Sequence, residues 1–215
     1  MRTYNVDEYP LLSNEELARK RPVHLAAGML VLAEYSSVES HVSVLLTSMA
    51  HADPKPLVAL YGVLRQGHVQ AKALRAVANA VLSPNDMQSL NRLMTLIKKA
   101  SDARDQLAHR LWFYDDKLPD DIVLVDPSLM WTMTHQVRVA GGPGPVPRDQ
   151  ALEMQAALRN ACHIWSRMDL ELARVTAAQA AIGLQSLNLM LKASDAAARA
   201  NEQQKLEALL SLAEV

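Results

Sequence analysis

Four long segments of this 215-residue chain carry apolar side chains at spacings of three and four residues. They run from about 22 to 50, 57 to 82, 84 to 114 and 149 to 191. Because a helix turns once every 3.6 residues, each segment forms one apolar face, which needs a partner to bury it. The pattern therefore predicts an all-α fold, a bundle of about four long antiparallel helices around one core.

Composition agrees with a helical protein. Half of the residues are hydrophobic, but Phe occurs only once, and the apolar residues are mainly Leu, Ala, Met and Val. The formal net charge is −1, so recognition of an anion needs a local patch rather than the field of the whole molecule. The single cysteine, Cys162, excludes an intrachain disulfide framework and fits a reducing compartment.

Local signals indicate where several helices begin. Ser13 lies three residues before Glu16, which is a capping-box pattern for a short first helix. Pro22 suits the first position of the next helix. In "SPND", Ser83 can cap and Pro84 fits the first turn of the helix that follows.

The periodicity changes after the fourth helix, which we expect to end near Tyr114. "IVLVD" is a short β-branched run and "LMWTMTHQVRV" alternates apolar with polar residues, so we predict a small β-hairpin inserted at about 116–147. We expect one helical domain over 1–192. A C-terminal helical tail over 193–215 is predicted to be exposed or bound to a partner.

Membrane, metal and cofactor sites are not expected. No stretch approaches the roughly 18–20 uncharged apolar residues that span a bilayer, and acidic residues interrupt the N-terminus early. We therefore expect a cytoplasmic protein without membrane association. The histidines show no metal-ligand spacing, and "GGPGP" lacks the Lys and Ser/Thr of a phosphate-binding loop, so neither a metal nor a cofactor is expected.

The end of the fourth helix, "SDARDQLAHRLW", concentrates chemically active side chains. Arg104 lies in line with core-facing residues, where an arginine must be paired, reach solvent or face an interface. Asp105 and His109 are four residues apart, so the carboxylate can accept the imidazole N–H, and Trp112 lies on the same line. These three polar residues are our candidate catalytic group, with Trp112 as a supporting residue.

Two interpretations of this helix end remain open from the residues alone. Arg104 and His109 are about 140° apart around a helix axis. They meet at one small group only if the helix loosens near His109 or a second chain supplies the partner residue. The structural alternative is an arginine paired with Asp105, and a terminal histidine that complements the helix dipole.

Glu39 is a second supporting candidate. It lies between Tyr35 and Val42 on the apolar stripe of the second helix, where an unpaired carboxylate would be costly. We expect it to pair with Arg104 or with a residue of a second protomer. The alternative is a boundary glutamate that reaches solvent.

The segment "RDQLAH" resembles the R-(polar)-x3-H motif of HEPN domains (higher eukaryotes and prokaryotes nucleotide-binding). The longer stretch "KKASDARDQLAHRLW" is similar to the helix end of bacterial members, and it follows a long helix that carries "AEYSSVES". The resemblance covers about Val23 to Tyr114, and more loosely Asp149 to Leu191. It does not cover the hairpin or the tail.

The resemblance implies a homodimer in which the motifs of both protomers face each other across a cleft. It implies metal-independent RNA cleavage by attack of a ribose 2′-hydroxyl on the adjacent phosphate. His109 would be the acid or base, Arg104 would neutralise charge on the phosphorane-like oxygens, and Asp105 would orient both. The chemistry suits the residues, because histidine exchanges protons near neutral pH and a guanidinium stabilises developing phosphate charge.

The function that we predict is an endoribonuclease of the toxin or defence type. Many HEPN proteins are not catalytic, so the alternative is a helical dimerisation or interaction module, the partner of a nucleotidyltransferase or an antitoxin. A ligand-binding bundle without a nucleic-acid role is a third possibility. A chelator-resistant RNA cleavage assay separates the first interpretation from the others.

Overall fold

The computed structural model describes residues 2–3, 16–51, 53–64, 67–128, 153 and 162–213. The fold of these residues is mostly helical, with a small antiparallel sheet and a C-terminal helix, which confirms the predicted fold class. The helices are α1 (Leu17–Lys20), α2 (Pro22–Ala50), α3 (Pro54–Val63), α4 (Gly67–Val81), α5 (Pro84–His109), α6 (Arg167–Lys192) and α7 (Ala196–Leu212). The strands are β1 (Arg2–Thr3), β2 (Leu111–Phe113), β3 (Asp121–Val125) and β4 (Cys162–Ser166).

Two of the predicted helix starts are confirmed. α2 begins at Pro22 and α5 begins at Pro84. At α5, the Ser83 hydroxyl accepts from the backbone N–H of Asp86 at 3.2 Å and donates to its carboxylate at 2.7 Å. This satisfies one of the N–H groups that a helix start leaves without an intrahelical partner. The predicted cap at Ser13 lies outside the described residues.

Three predicted helices differ from the structure. The third is divided into α3 and α4, because the backbone of Leu64 leaves the helical region (φ −75°, ψ 74°). The fourth ends at His109 rather than near Tyr114. Most of the first part of the helix predicted from Asp149, residues 149–161, lies outside the described residues; Cys162–Ser166 is strand β4 instead of helix, and α6 begins at Arg167.

The start of α6 has a local signal in "SRMD". The Ser166 hydroxyl accepts from the backbone N–H of Asp169 at 3.2 Å, and the Asp169 carboxylate accepts from the backbone N–H of Ser166 at 2.9 Å. This reciprocal pattern is that of a capping box, with Asp in the place of Glu. It marks a helix start that the apolar periodicity alone does not locate.

The sheet has the strand order β1-β4-β3-β2, and all three strand pairs are antiparallel. The strand predicted in "IVLVD" is confirmed as β3, and all five of its residues are buried. Its partners are β2 and β4, which we expected to be helical. The predicted partner strand in "LMWTMTHQVRV" lies outside the described residues. A β-branched run therefore indicates a strand but not its neighbours in the sheet.

The chain divides into two compact units. The first unit comprises 1–32 and 103–172, and the second comprises 33–102 and 173–215. We expected one domain over 1–192 with a separate tail over 193–215. The C-terminal helix is confirmed as a helix, but it is not an exposed tail, because Leu206 and Leu210 of α7 are buried in the core of the second unit.

The core of the second unit consists mainly of leucine, alanine and methionine from α2 and from α4 to α7. Gly183, inside α6, allows a close approach: a Cβ at this position would overlap the side chain of Leu93. The loss of helix propensity at this glycine is therefore offset by the packing of a fully buried leucine.

Candidate functional site

The three candidate catalytic residues lie at the C-terminal end of α5, in the first unit. Leu107 faces the interior and is almost completely buried. Asp105 and His109 are exposed, and Arg104 is partly exposed. The apolar side of the helix end therefore fixes its position, while the polar side chains remain accessible to a ligand from solvent.

Arg104 connects these residues. Its Nη1 atom donates to the Asp105 carboxylate at 2.9 Å and lies 3.3 Å from Nε2 of His109. An arginine is always a donor, so Nε2 must be the acceptor in this contact. This hydrogen bond forms only with a neutral imidazole whose proton is on Nδ1.

The structure resolves the 140° separation that the sequence predicts for Arg104 and His109. Their side chains meet within one chain, because α5 ends at His109 and the long arginine side chain reaches around the last turn. The convergence needs no residue from a second protomer. The expected contact of Asp105 with His109 is replaced, among the described residues, by contacts of both with Arg104.

Trp112 supports this helix end from strand β2. Its indole Nε1 donates to the carbonyl oxygen of Leu107 at 2.7 Å. The last carbonyls of a helix lack intrahelical donors, so this bond satisfies one of them. The ring lies against Gly28 of α2 so closely that a Cβ at Gly28 would overlap it. Trp112 therefore contributes to the structure of this helix end, and its supporting role in a reaction stays a prediction.

Glu39 does not lie on a buried stripe. Its side chain is exposed, whereas the preceding residue, Val38, is almost completely buried. Of the residues that the spacing places on this stripe, Val42, Leu45 and Met49 are buried, whereas Met29 is exposed and Val31 is buried instead. An exposed carboxylate needs no partner, and its pairing with Arg104 or with a second protomer stays a prediction.

Arg110, next to His109, influences titratable groups of the sheet. Burial raises the pKa of the Cys162 thiol to about 11, and Arg110 opposes this shift. Burial is also the main cause that lowers the pKa of His163, followed by the positive charge of Arg110. Cys162 and His163 are consecutive residues of a strand, so they face opposite sides of the sheet. They do not form a nucleophile–base pair or a metal site.

Arg21 is a buried residue whose role the sequence does not indicate. Its guanidinium donates to the carbonyl oxygens of Asp115 at 2.9 Å and Leu118 at 3.1 Å, in the turn between β2 and β3. His24 lies nearby, with Nε2 at 2.8 Å from the carbonyl oxygen of Asp120. These side chains hold the turn that follows β2. Their partners are more than ninety residues away in sequence, so no local pattern predicts them.

Known proteins provide no assignment for this chain: no family model, curated protein or solved structure matches it. Within the described part of the chain, no group of three or more His, Cys, Asp and Glu side chains is arranged to hold a metal ion. None of the helices described is sufficiently long and apolar to cross a membrane. The geometry at the end of α5 is therefore the main basis for a functional proposal.

Proposed function

We propose that this protein is a HEPN-like cytoplasmic endoribonuclease of the toxin or defence type. It cleaves RNA without a metal, through attack of a 2′-hydroxyl on the adjacent phosphate. The observation that carries the proposal is the contact of 3.3 Å between Arg104 Nη1 and His109 Nε2 on an accessible helix end. It places a permanent cation beside an imidazole nitrogen that can accept a proton.

The chemistry follows from these two side chains. His109 Nε2 takes the proton of the 2′-hydroxyl while the 2′-oxygen forms a bond to phosphorus. Arg104 turns from its present acceptors to the non-bridging oxygens and stabilises the charge that grows on them. The bond from phosphorus to the 5′-oxygen breaks, and that oxygen takes a proton from water or from a second imidazole. The products carry a 2′,3′-cyclic phosphate and a free 5′-hydroxyl.

The test is incubation of purified protein with RNA in the presence of EDTA, with detection of 2′,3′-cyclic phosphate ends. We expect cleavage to persist in EDTA and to fall at least about 100-fold in both His109→Ala and Arg104→Ala. Matched controls are His68→Ala and Arg75→Ala, two exposed positions of α4. Equal cleavage by the His109→Ala protein and the unmodified protein contradicts the mechanism.

The proposal includes a homodimer whose two motifs share a cleft. Because Arg104 and His109 meet within one chain, each protomer contributes its own pair. A mixture of the Arg104→Ala and His109→Ala proteins should therefore not recover cleavage. Recovery to a large fraction of the unmodified rate indicates instead that the arginine of one protomer acts with the histidine of the other.

A second candidate function is a non-catalytic helical dimerisation module, of the kind that partners a nucleotidyltransferase or an antitoxin. Two observations favour it. Asp105 offsets the charge of Arg104 at 2.9 Å. On the part of α6 that belongs to the second unit, Val175, Ile182 and Leu189 are exposed at seven-residue intervals, and this spacing is typical of a helix that packs along a second helix. We take the second helix to be that of another copy of this chain.

Sedimentation equilibrium tests this second function. Ile182→Lys should weaken self-association, whereas Gln185→Lys adds the same charge at an exposed polar position of α6 and should not. A protein that dimerises through α6 but leaves RNA intact under all conditions supports the module and contradicts the enzyme.

A further inference from the structure

The contacts of Trp112 extend beyond general packing. Its indole bonds to the Leu107 carbonyl oxygen and lies on Gly28, and we call these three residues the indole cap. The bond closes a short segment from 107 to 112, and His109 lies inside it. The path of the backbone through His109 is thus restricted from both sides.

The position of the indole is itself fixed by the fold. In the register of the sheet, Trp112 lies opposite Leu124 of β3, and Leu124 is completely buried. On the other side, Gly28 of α2 leaves room for the ring only because it has no Cβ. A strand and a helix therefore hold Trp112 in place, and Trp112 in turn bonds to the last turn of α5.

This matters for His109 because α5 changes into β2 within two residues and has no glycine at its end. A helix end without a cap frays, and its last residues then sample several backbone conformations. The Arg104–His109 contact spans five positions, so it depends on the particular backbone path of the last turn.

The geometry points to Trp112 as a positioning residue: the indole cap holds His109 so that Nε2 faces Arg104 and the ring proton stays on Nδ1. This inference rests on the proposed function for its catalytic consequence. The effect on the tautomer of His109 is independent of RNA cleavage. Trp112 touches no reacting atom and acts only through the backbone of the last turn.

The chain provides a matched control for its removal. Trp165 of β4 is buried, but its Nε1 has no hydrogen-bond partner among the described residues. Trp112→Phe and Trp165→Phe each remove the same atoms, but only the first removes a hydrogen bond to another part of the described chain. A second variant carries 3-benzothienylalanine at position 112. In this residue sulfur replaces the N–H, and the shape of the ring is almost unchanged.

The experiment is ¹⁵N NMR of the imidazole nitrogens of His109 in the full-length protein without RNA. In Trp112→Phe we expect the Nε2 signal to shift toward that of a ring that exchanges between tautomers. The benzothienylalanine variant should show the same shift, and Trp165→Phe should leave the signal unchanged. If Trp112→Phe does not fold, the isosteric variant provides the answer. Signals identical to those of the unmodified protein in a folded variant would overturn the inference.

Cleavage kinetics give a second readout. If the unmodified protein cleaves RNA, Trp112→Phe should lower kcat about tenfold and leave KM within about twofold, because the misplacement affects proton transfer more than binding. If it does not cleave, the proposed enzyme function fails, while the NMR comparison still tests the indole cap. An unchanged kcat together with a shifted tautomer would contradict the catalytic part of the inference.

Discussion

An Arg–Asp pair lies at each end of helix α5, with the arginine supplied by α7 at the N-terminal end and by α5 itself at the C-terminal end, and the two pairs differ in their surroundings. At the N-terminal end, in the second unit, the Asp86 side chain is only 10% exposed and accepts from Arg199 at 2.7 Å and from Ser83 at 2.7 Å. At the C-terminal end, in the first unit, the Asp105 side chain is 55% exposed and accepts from Arg104 at 2.9 Å.

The difference shows that the two ends of one helix can have different roles. The polar side chains at the N-terminal end stabilise the fold (a structural end), whereas those at the C-terminal end can bind a ligand from solvent (an available end). Arg199 is 40% exposed, but Asp86 is buried, so removal of Arg199 leaves a carboxylate that has lost both water and one of its hydrogen bonds. An exposed pair contributes about 0–1 kcal/mol, because water replaces either partner. Arg104 can therefore exchange Asp105 for a phosphate at little cost, whereas Arg199 cannot leave Asp86 without weakening the fold.

The largest expected effect separates the two arginines by activity. Arg104→Ala should lower the rate of RNA cleavage at least about 100-fold and change the free energy of unfolding by less than about 1 kcal/mol. Arg199→Ala should leave the cleavage rate within about twofold and reduce stability instead. Cleavage assays and urea unfolding on both variants measure this contrast.

The contrast between the two arginines is contradicted if the Arg199→Ala protein remains folded but its rate of RNA cleavage falls as far as that of the Arg104→Ala protein. The arginine of the N-terminal pair would then contribute to the chemistry. The distinction between a structural and an available helix end would be wrong.

The two aspartates should differ in stability. Asp86→Ala removes a buried acceptor and half of the cap at the start of α5, so we expect a loss of about 1–3 kcal/mol. Asp105→Ala should cost less than about 1 kcal/mol, since its carboxylate is already largely hydrated. Urea unfolding monitored by circular dichroism provides both values. Equal losses would show that the exposed pair is also structural.

Sequence reasoning identified parts of each end and missed others. "SPND" predicted the start of α5 at Pro84, but Arg199 follows Asp86 only after more than a hundred residues, so no local rule reveals this partner. At the other end the motif identified Arg104, Asp105 and His109. The apolar periodicity extended the helix to Tyr114, because Leu111 and Phe113 suit a helix and a strand equally.

The supporting residues show the same limit. The helical spacing places Trp112 on the same face as His109, which makes it a candidate. Its hydrogen bond to Leu107 and its close contact with Gly28 depend instead on how β2 and α2 pack. Glu39 fits the three- and four-residue spacing between Tyr35 and Val42, but Val38, one position earlier, fits it as well and is the buried residue of this turn. The spacing alone does not distinguish the two positions.

Gly28→Ala tests whether packing holds the C-terminal end of α5, and Gly62→Ala serves as its control. Gly28→Ala places a Cβ against the Trp112 ring, so we expect a loss of about 1–3 kcal/mol in the free energy of unfolding. Around Gly62 of α3, no heavy atom of the described residues lies within 4 Å of an added Cβ. Gly62→Ala should therefore stabilise the protein by about 0.5–1 kcal/mol through helix propensity. Thermal unfolding gives the sign of both changes, and a stabilised Gly28→Ala protein contradicts the close approach.

The smallest expected effect concerns the charge of Asp105. Asp105→Asn keeps an acceptor oxygen beside Arg104 but removes a negative charge from the place where a phosphate would bind. Stability should change by less than about 1 kcal/mol, while the cleavage rate should rise a few-fold at low salt, and this gain should shrink as salt screens the charge.

Asp102→Asn is the matched control, because Asp102 is an exposed carboxylate of the same helix that pairs with Lys98 instead. It should leave the cleavage rate unchanged at all salt concentrations. If Asp105→Asn instead lowers cleavage, the negative charge itself is needed to orient Arg104 and His109. Arg104 and Asp105 would then act in catalysis as an intact ion pair, and Arg104 would not leave Asp105 to bind a phosphate.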